Sequence, residues 1–240
     1  MRVAALYDVH GHLPALEAVL AEPDVEAADL VLVGGDFAAG PMPAETVDLL
    51  RSQGARTRFI RGNAERELWA PSPPREGGPP PGVLEWTCER LGDERIHFLQ
   101  SLPETFAAPV TALGQVLFCH GTPRSDEEIV TELTPDERLR EVLEGVDVAV
   151  VVCGHTHVQF DRTVGAKRLV NAGSVGMPYE DEPGAYWALL GPDVELRRTS
   201  FDAEEAAARI AATGYPGEIP TASRREASEY FEGLARGGGR

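Results

Sequence analysis

Seven polar residues of this 240-residue chain stand directly after short apolar runs, and their types suit one kind of chemistry. Asp8-Val9-His10 follows residues 3–7, Gly35-Asp36 follows 30–33, and Gly62-Asn63 follows 57–60. His120-Gly121 follows 116–119, and Gly154-His155-Thr156-His157 follows 146–153. In layered α/β proteins the carboxyl ends of strands form the ligand crevice, so two Asp, one Asn and four His arrive at one rim. Oxygen and imidazole donors suit Mn, Fe, Zn or Ni rather than calcium. One ion takes about four to six ligands, so seven side chains suit two ions that share a carboxylate. Asp36 is the natural bridge, since no other acid follows a strand end alone. Two ions about 3.5–4 Å apart can activate a shared hydroxide and hold two phosphoryl oxygens during in-line displacement. The glycines beside Asp36, Asn63, His120 and His155 leave room for ions and substrate. Taken singly, each of these residues also reads as a cap or a satisfied polar group, and Gly-Asn as ordinary turn chemistry. The weight lies in the joint pattern.

The elements that must position these residues alternate. Strands are expected at 3–7, 30–33 and 57–60. Helices are expected at 13–21, with Leu13, Leu16 and Leu20 on one face, and at 45–51, a pattern of stacked α/β layers. Residues 71–82 hold six prolines and three glycines, which exclude helix and interior strand and predict an exposed loop. Helical patterns follow at 83–91 and 94–102, so 64–113 reads as a cap-like insertion over one edge of the core. Thr134-Pro135-Asp136-Glu137 predicts a capping box opening a helix to about residue 143. The run 146–153 predicts a fully buried strand, and 168–170, 186–190 and 194–199 predict further strands with antiparallel pieces. A helix over 203–212 closes a first domain, 1–212. Ser223 with Glu226 predicts the cap of a last helix in a tail, 213–240, whose terminal Gly-Gly-Gly-Arg is expected to fray.

Composition narrows the function classes. Thirty-nine acidic against 22 basic residues give a net charge of −17, which argues against general affinity for nucleic acid or an anionic membrane surface. An apolar fraction of 42% with 25% charged residues is that of a globular protein. No apolar run reaches the roughly 18 residues that span a bilayer, and no leader pattern precedes Asp8, so a cytoplasmic location is expected. Three cysteines make no disulfide framework. Cys119 and Cys153 end apolar strands and read as buried, inert thiols pointing away from the neighbouring histidines.

The five motifs, in order and spacing, resemble those of the calcineurin-like metallophosphoesterases from Met1 to about residue 210. The segments His10-Gly11-His12-Leu13-Pro14-Ala15-Leu16 and Asn171-Ala172-Gly173-Ser174-Val175-Gly176 resemble the small bacterial and archaeal phosphodiesterase branch of that family. The resemblance implies an α/β fold, a four-layer α/β/β/α sandwich of two mixed sheets. It implies that Asp8, His10, Asp36 and His157 hold a first divalent ion. Asp36, Asn63, His120 and His155 would hold a second, with manganese favoured. A hydroxide between the ions would attack a phosphoester, more readily a diester than a monoester. Asp36, Asn63 and His120 are then the catalytic groups. The sequence departs from the family where a histidine that protonates the leaving group is usual: Ala64 stands there. His12 and Glu65 are the substitutes on offer, His12 being equally readable as the start of the following helix. Ala172 likewise replaces a usual proline.

Around the motifs, Arg61, Arg66 and Arg124 are candidates for substrate phosphate, and Asn171 and Ser174 for a turn facing or supporting the substrate. The alternatives are surface arginines and a plain strand-to-loop turn. His97 has no partner pattern, and Glu180-Asp181-Glu182 reads as a solvated acidic loop. A small phosphoester is the expected partner, and Leu84, Trp86, Leu91, Phe98 and Leu99 would permit a homodimer contact. Rival readings are a nucleotide phosphatase, a metal or nucleotide sensor, and a protein-binding scaffold of the retromer kind, in which ligand positions are eroded. All seven ligand positions here carry competent donors.

Overall fold

A computed structural model describes residues 1–73 and 79–237. The centre of the proline-rich loop and the last three residues, on which two expectations fall, lie outside the described residues. Among the described residues ten strands form two five-stranded sheets. The first runs β10-β9-β1-β2-β3. Its parallel core is β1 (Val3–Leu6), β2 (Leu30–Gly34) and β3 (Thr57–Ile60), and β9 (Ala185–Leu190) and β10 (Val194–Thr199) add on antiparallel. The second runs β4-β5-β6-β8-β7. There β5 (Gly114–Cys119), β6 (Val150–Cys153) and β8 (Lys167–Asn171) are parallel, with β4 (Thr105–Val110) and β7 (Phe160–Val164) as antiparallel edges.

Alternation along the strands builds four layers. Val3, Ala5, Tyr7, Leu30 and Leu32 point from the first sheet into a shared core with Val116, Phe118, Val150 and Val152 of the second. The opposite faces are covered by helices. Ala4, Leu6, Val31 and Val33 pack under α1 (Leu13–Leu20), α3 (Pro43–Ser52) and α5 (Val83–Gln100); a single turn, α2 (Pro23–Glu26), lies between α1 and β2. Cys119, Val151 and Cys153 pack under α6 (Asp136–Val142). Between β3 and α5 sits the short α4 (Asn63–Glu67), and the chain ends in α7 (Ala203–Ala211) and α8 (Arg224–Gly237). This is the expected four-layer sandwich. Among the described residues no helix is long and apolar enough to cross a membrane.

Several local expectations are corrected. Residues 105–110 belong to the second sheet, so the insertion ends before them. Pro109 is tolerated there because β4 is an edge strand. The strand expected over 146–153 ladders only from Val150, where both β5 and β8 begin to pair with it. No capping box opens α6: Pro135 stands at the cap, and the Thr134 hydroxyl donates to Glu232 instead. The cap of α8 forms as expected, with Ser223 N–H donating to Glu226 and Glu226 N–H to the Ser223 hydroxyl. Of the apolar residues expected to permit a homodimer contact, Leu84 is half-buried on α5. Leu91 and Leu99 are buried in the core, Phe98 packs edge-on against Phe59, and Trp86 lies against Tyr215 and under Arg90.

Candidate metal centre

All five motifs meet where the parallel strands of both sheets end. The Tyr7 hydroxyl donates to the Val152 carbonyl and ties one sheet to the other beside the motifs. The Asp8 and His10 N–H groups donate to the Gly35 and Asp36 carbonyls at 3.1 and 2.9 Å, and the Gly154 N–H donates to the His120 carbonyl at 2.9 Å. The backbone here is unusual. Asp8, His10, Asp36, His155 and His157 all adopt left-handed φ values between 47° and 70°, five of the six non-glycine residues described that do so. Each costs about 1–2 kcal/mol, and such strain gathers where a fold must aim side chains at a site. Two of the motif glycines make room for the carboxylates. A Cβ on Gly62 would strike Asp36 Oδ1, and one on Gly154 would strike Asp8 Oδ2.

The side chains converge in two groups. Asp8, His10 and His157 offer ligand atoms within 4.8 Å of one another, and so do Asp36, His120 and His155. Within the first group His10 Nε2 lies 3.1 Å from His157 Nε2, and Asp8 Oδ1 lies 3.2 Å from His157 Nε2. Asp8 Oδ1 also stands 3.9 Å from His120 Nε2, so it faces both groups. In the second, Asp36 Oδ2 is 3.3 Å from His120 Nε2, while its Oδ1 accepts the Ala64 N–H at 2.8 Å. Asn63, at the first turn of α4, is buried beside them.

These residues fit divalent ions on the structure's own terms. Carbonyls only accept, so His120 Nδ1 must donate to the Gly34 carbonyl (3.0 Å) and His157 Nδ1 to the Met177 carbonyl (2.8 Å). In the neutral rings both Nε2 atoms then carry bare lone pairs. His120 Nε2 aims its lone pair at carboxylate oxygens, a repulsive arrangement unless positive charge lies between. Asp8 Oδ1, Asn63 Oδ1 and His120 Nε2 are buried with no hydrogen-bond partner among the described residues. The protonation of these groups follows the same field. Burial opposes a charged His120, yet Asp36 and Asp8 overcome it and push the ring up to about 10. Burial would raise Asp36, but His120, His10 and His155 hold it well below the usual carboxylate range. Burial and the His120 charge pull His155 down to about 4.

The remaining expected residues are placed differently. His12 is buried, and its Nδ1 accepts the Ala15 N–H as the cap of α1 while its ring packs edge-on against Phe201. It serves as the cap of that helix, the alternative the sequence offered. Arg61 is paired with Glu104, Arg66 with Asp126 and Glu127, and Arg124 with Glu128. Arg61 and Arg124, the arginines expected at the substrate, are thus held by neighbouring carboxylates. Asn171 and Ser174 are completely buried. Asn171 donates to the Gly154 carbonyl and the Thr156 hydroxyl, and Ser174 donates to the Asp8 carbonyl, so both brace the ligand loops. The thiols of Cys119 and Cys153 are buried, and burial pushes both up. His97 lies at the surface with Nδ1 on the Asp93 carbonyl.

Two residues contribute in ways the sequence did not show: Glu65, offered there as a proton donor, and Tyr179. Glu65 is completely buried, and its carboxylate accepts four backbone N–H groups, from Asp36, Phe37, Ala38 and Gly62, at 2.7–3.0 Å. Burial and the Asp36 charge push it up to about 7 while those donors hold it down. It organises the Asp36 loop and faces no leaving group. Its signal was present, since Glu at the third helical position after Gly62 is a capping pattern. Tyr179, stacked on His157, had no local signal.

Comparison with known proteins agrees with this geometry. The family model for the calcineurin-like phosphoesterase superfamily domain matches residues 1–191. A crystal structure of a metallophosphoesterase from Sphaerobacter thermophilus is similar, with TM-score 0.72 and 25% identity over 90% of this chain and 95% of that one. A hypothetical protein from Pyrococcus horikoshii OT3 has TM-score 0.75 and 22% identity over 96% and 97%. Yfce, a phosphoesterase from E. coli, has TM-score 0.53 and 20% identity over 85% and 97%. A search of the curated proteins finds no match.

Proposed function

As the chain belongs to the calcineurin-like phosphoesterase superfamily, and so is a metal-dependent phosphoesterase, we propose that it holds two divalent ions and cleaves phosphodiesters in preference to monoesters. The two converging ligand groups and their orphaned buried atoms support two ions. The first would lie among Asp8, His10, Asp36 and His157, and the second among Asp36, Asn63, His120 and His155, with manganese the ion to load first. Such ions neutralise phosphoryl oxygens and make water a nucleophile near neutral pH.

The observation that carries the diester preference is the pairing of the rim. Arg61, Arg66 and Arg124, the arginines flanking the motifs, are each answered by a carboxylate. A monoester carries nearly two negative charges at neutral pH and a diester one, so a rim with its cations already paired favours the diester. The chain's own residues act by holding. Gly34 and Met177 carbonyls fix the imidazoles of His120 and His157, and Glu65 fixes the Asp36 loop through four amides. Ala64 offers no proton, so leaving groups that depart as anions, aryl oxides above all, are cleaved fastest.

The test is hydrolysis of bis-p-nitrophenyl phosphate beside p-nitrophenyl phosphate with Mn²⁺ added, using Asp36→Asn as control. Faster diester cleavage that the substitution abolishes is expected. Faster monoester cleavage overturns the diester preference.

A further inference from the structure

His157 is held in a way that no other residue of the two ligand groups is. Its Nδ1 donates to the Met177 carbonyl at 2.8 Å, its own carbonyl accepts the Tyr179 N–H at 3.2 Å, and its ring stacks on Tyr179 with centroids 5.1 Å apart and planes 19° from parallel. Residues 177–180 therefore wrap around one imidazole. The same segment is gripped from outside by α8. Phe231 lies against the Tyr179 ring at 6.1 Å between centroids, and Arg224 donates to both oxygens of Glu180 at 3.2 and 3.0 Å. Glu180 in turn accepts the Gln159 N–H at 2.7 Å, two residues beyond His157. This corrects the reading of residues 180–182 as merely a solvated loop. The helix is itself anchored: Glu232 accepts the Thr131 and Thr134 hydroxyls, and Glu132 accepts from Ser228 and Arg224. All of α8 lies beyond residue 191, where the family match ends.

We propose that Tyr179, backed by Phe231 of the C-terminal helix, is a positioning residue for His157, so that α8 sets how tightly the first ion is held. The inference rests on the two-ion reading above. A hydrogen bond at Nδ1 fixes which nitrogen is bare, but it leaves the ring free to rock about that bond. A flat aromatic face against the imidazole removes this freedom and keeps Nε2 directed at Asp8 Oδ1 and His10 Nε2, 3.2 and 3.1 Å away. Hydrogen-bonding partners one layer outside the ligands are worth about 10–100-fold in metal affinity, and a ring that fixes the same imidazole is placed on that scale. The Tyr179 hydroxyl faces the Met177 sulfur at 3.7 Å, so the ring face and not the phenol does the positioning.

The experiment is equilibrium dialysis of the full chain against Mn²⁺, with circular dichroism as a folding control, for wild type, Tyr179→Phe, Tyr179→Ala and Phe231→Ala. Wild type is expected to bind two ions, and Tyr179→Phe to reproduce its isotherm. Tyr179→Ala is expected to weaken one site by about 10–100-fold and leave the other unchanged. Phe231→Ala is expected to weaken the same site by less. Wild-type binding by Tyr179→Ala overturns the inference, and so does equal weakening by Tyr179→Phe, which would assign the effect to the hydroxyl. If Tyr179→Ala does not fold, Phe231→Ala decides, and an unchanged isotherm overturns the inference. A wild-type stoichiometry below two overturns the two-ion reading instead, a result visible before any variant is compared.

Discussion

Two clusters of buried polar side chains lie on either side of Tyr179, and they are built on opposite plans. In the seat of α8, Glu232 is almost fully buried, yet one oxygen accepts two threonine hydroxyls and the other accepts Arg236. Glu132 and Glu180 there share Arg224. At the strand ends Asp8 and Asp36 are buried just as deeply, but Asp8 Oδ1, Asn63 Oδ1 and His120 Nε2 have no hydrogen-bond partner among the described residues, and the backbone is left-handed at five residues. An unanswered buried polar atom costs about 1–3 kcal/mol, so the second cluster weakens the fold that carries it. Buried charge that is answered fastens an element. Buried charge left open is held ready for a cation.

The contrast can be broken by matched substitutions. The largest effect is expected from Asp36→Asn, which keeps shape and removes charge: steady-state kinetics should show kcat/KM falling at least about a thousandfold. Next is Glu65→Gln. Its amide would turn N–H toward the N–H groups of Asp36 and Gly62, and urea unfolding should show a loss of about 2–4 kcal/mol. Metal itself should act on the open cluster alone. Mn²⁺ at about a hundred times its Kd is worth about 2.7 kcal/mol per site, which raises Tm by about 5–10 °C in a thermal scan. Asp36→Asn should lose most of that rise. The smallest effect is expected from Glu232→Gln, the matched neutral replacement in the closed cluster, where the hydroxyls keep an acceptor. Urea unfolding should show a change below about 1 kcal/mol. A large loss there would erase the distinction.

What could be read from the sequence follows this same division. Asp8, Asp36, His120 and His155 were legible because apolar runs stop at them abruptly, and their convergence follows from parallel strands ending on one side of a layered fold. Strand β4 was missed because Pro109 argues against a strand unless its edge position is known. Thr134 was misread because the partner that claims its hydroxyl, Glu232, lies 98 residues away. Arg61 and Arg124 looked free for the same reason: a local pattern shows that a cation exists, not which carboxylate has already taken it. Tyr179 owes its place to a ring stacked from 22 positions earlier, which no periodicity of helix or strand encodes.

The paired arginines of the rim bear also on traffic. With every flanking guanidinium answered and a net charge of −17 on the whole chain, the last stretch of an anion's approach runs uphill, while a divalent cation's runs downhill. This field reaches about 8 Å from the surface at physiological ionic strength and shrinks as salt is added. On the proposed reading, fast metal capture and slow substrate capture are expected. Once the ions are in place, moderate salt should speed diester capture, the reverse of an enzyme that steers anions with a basic rim.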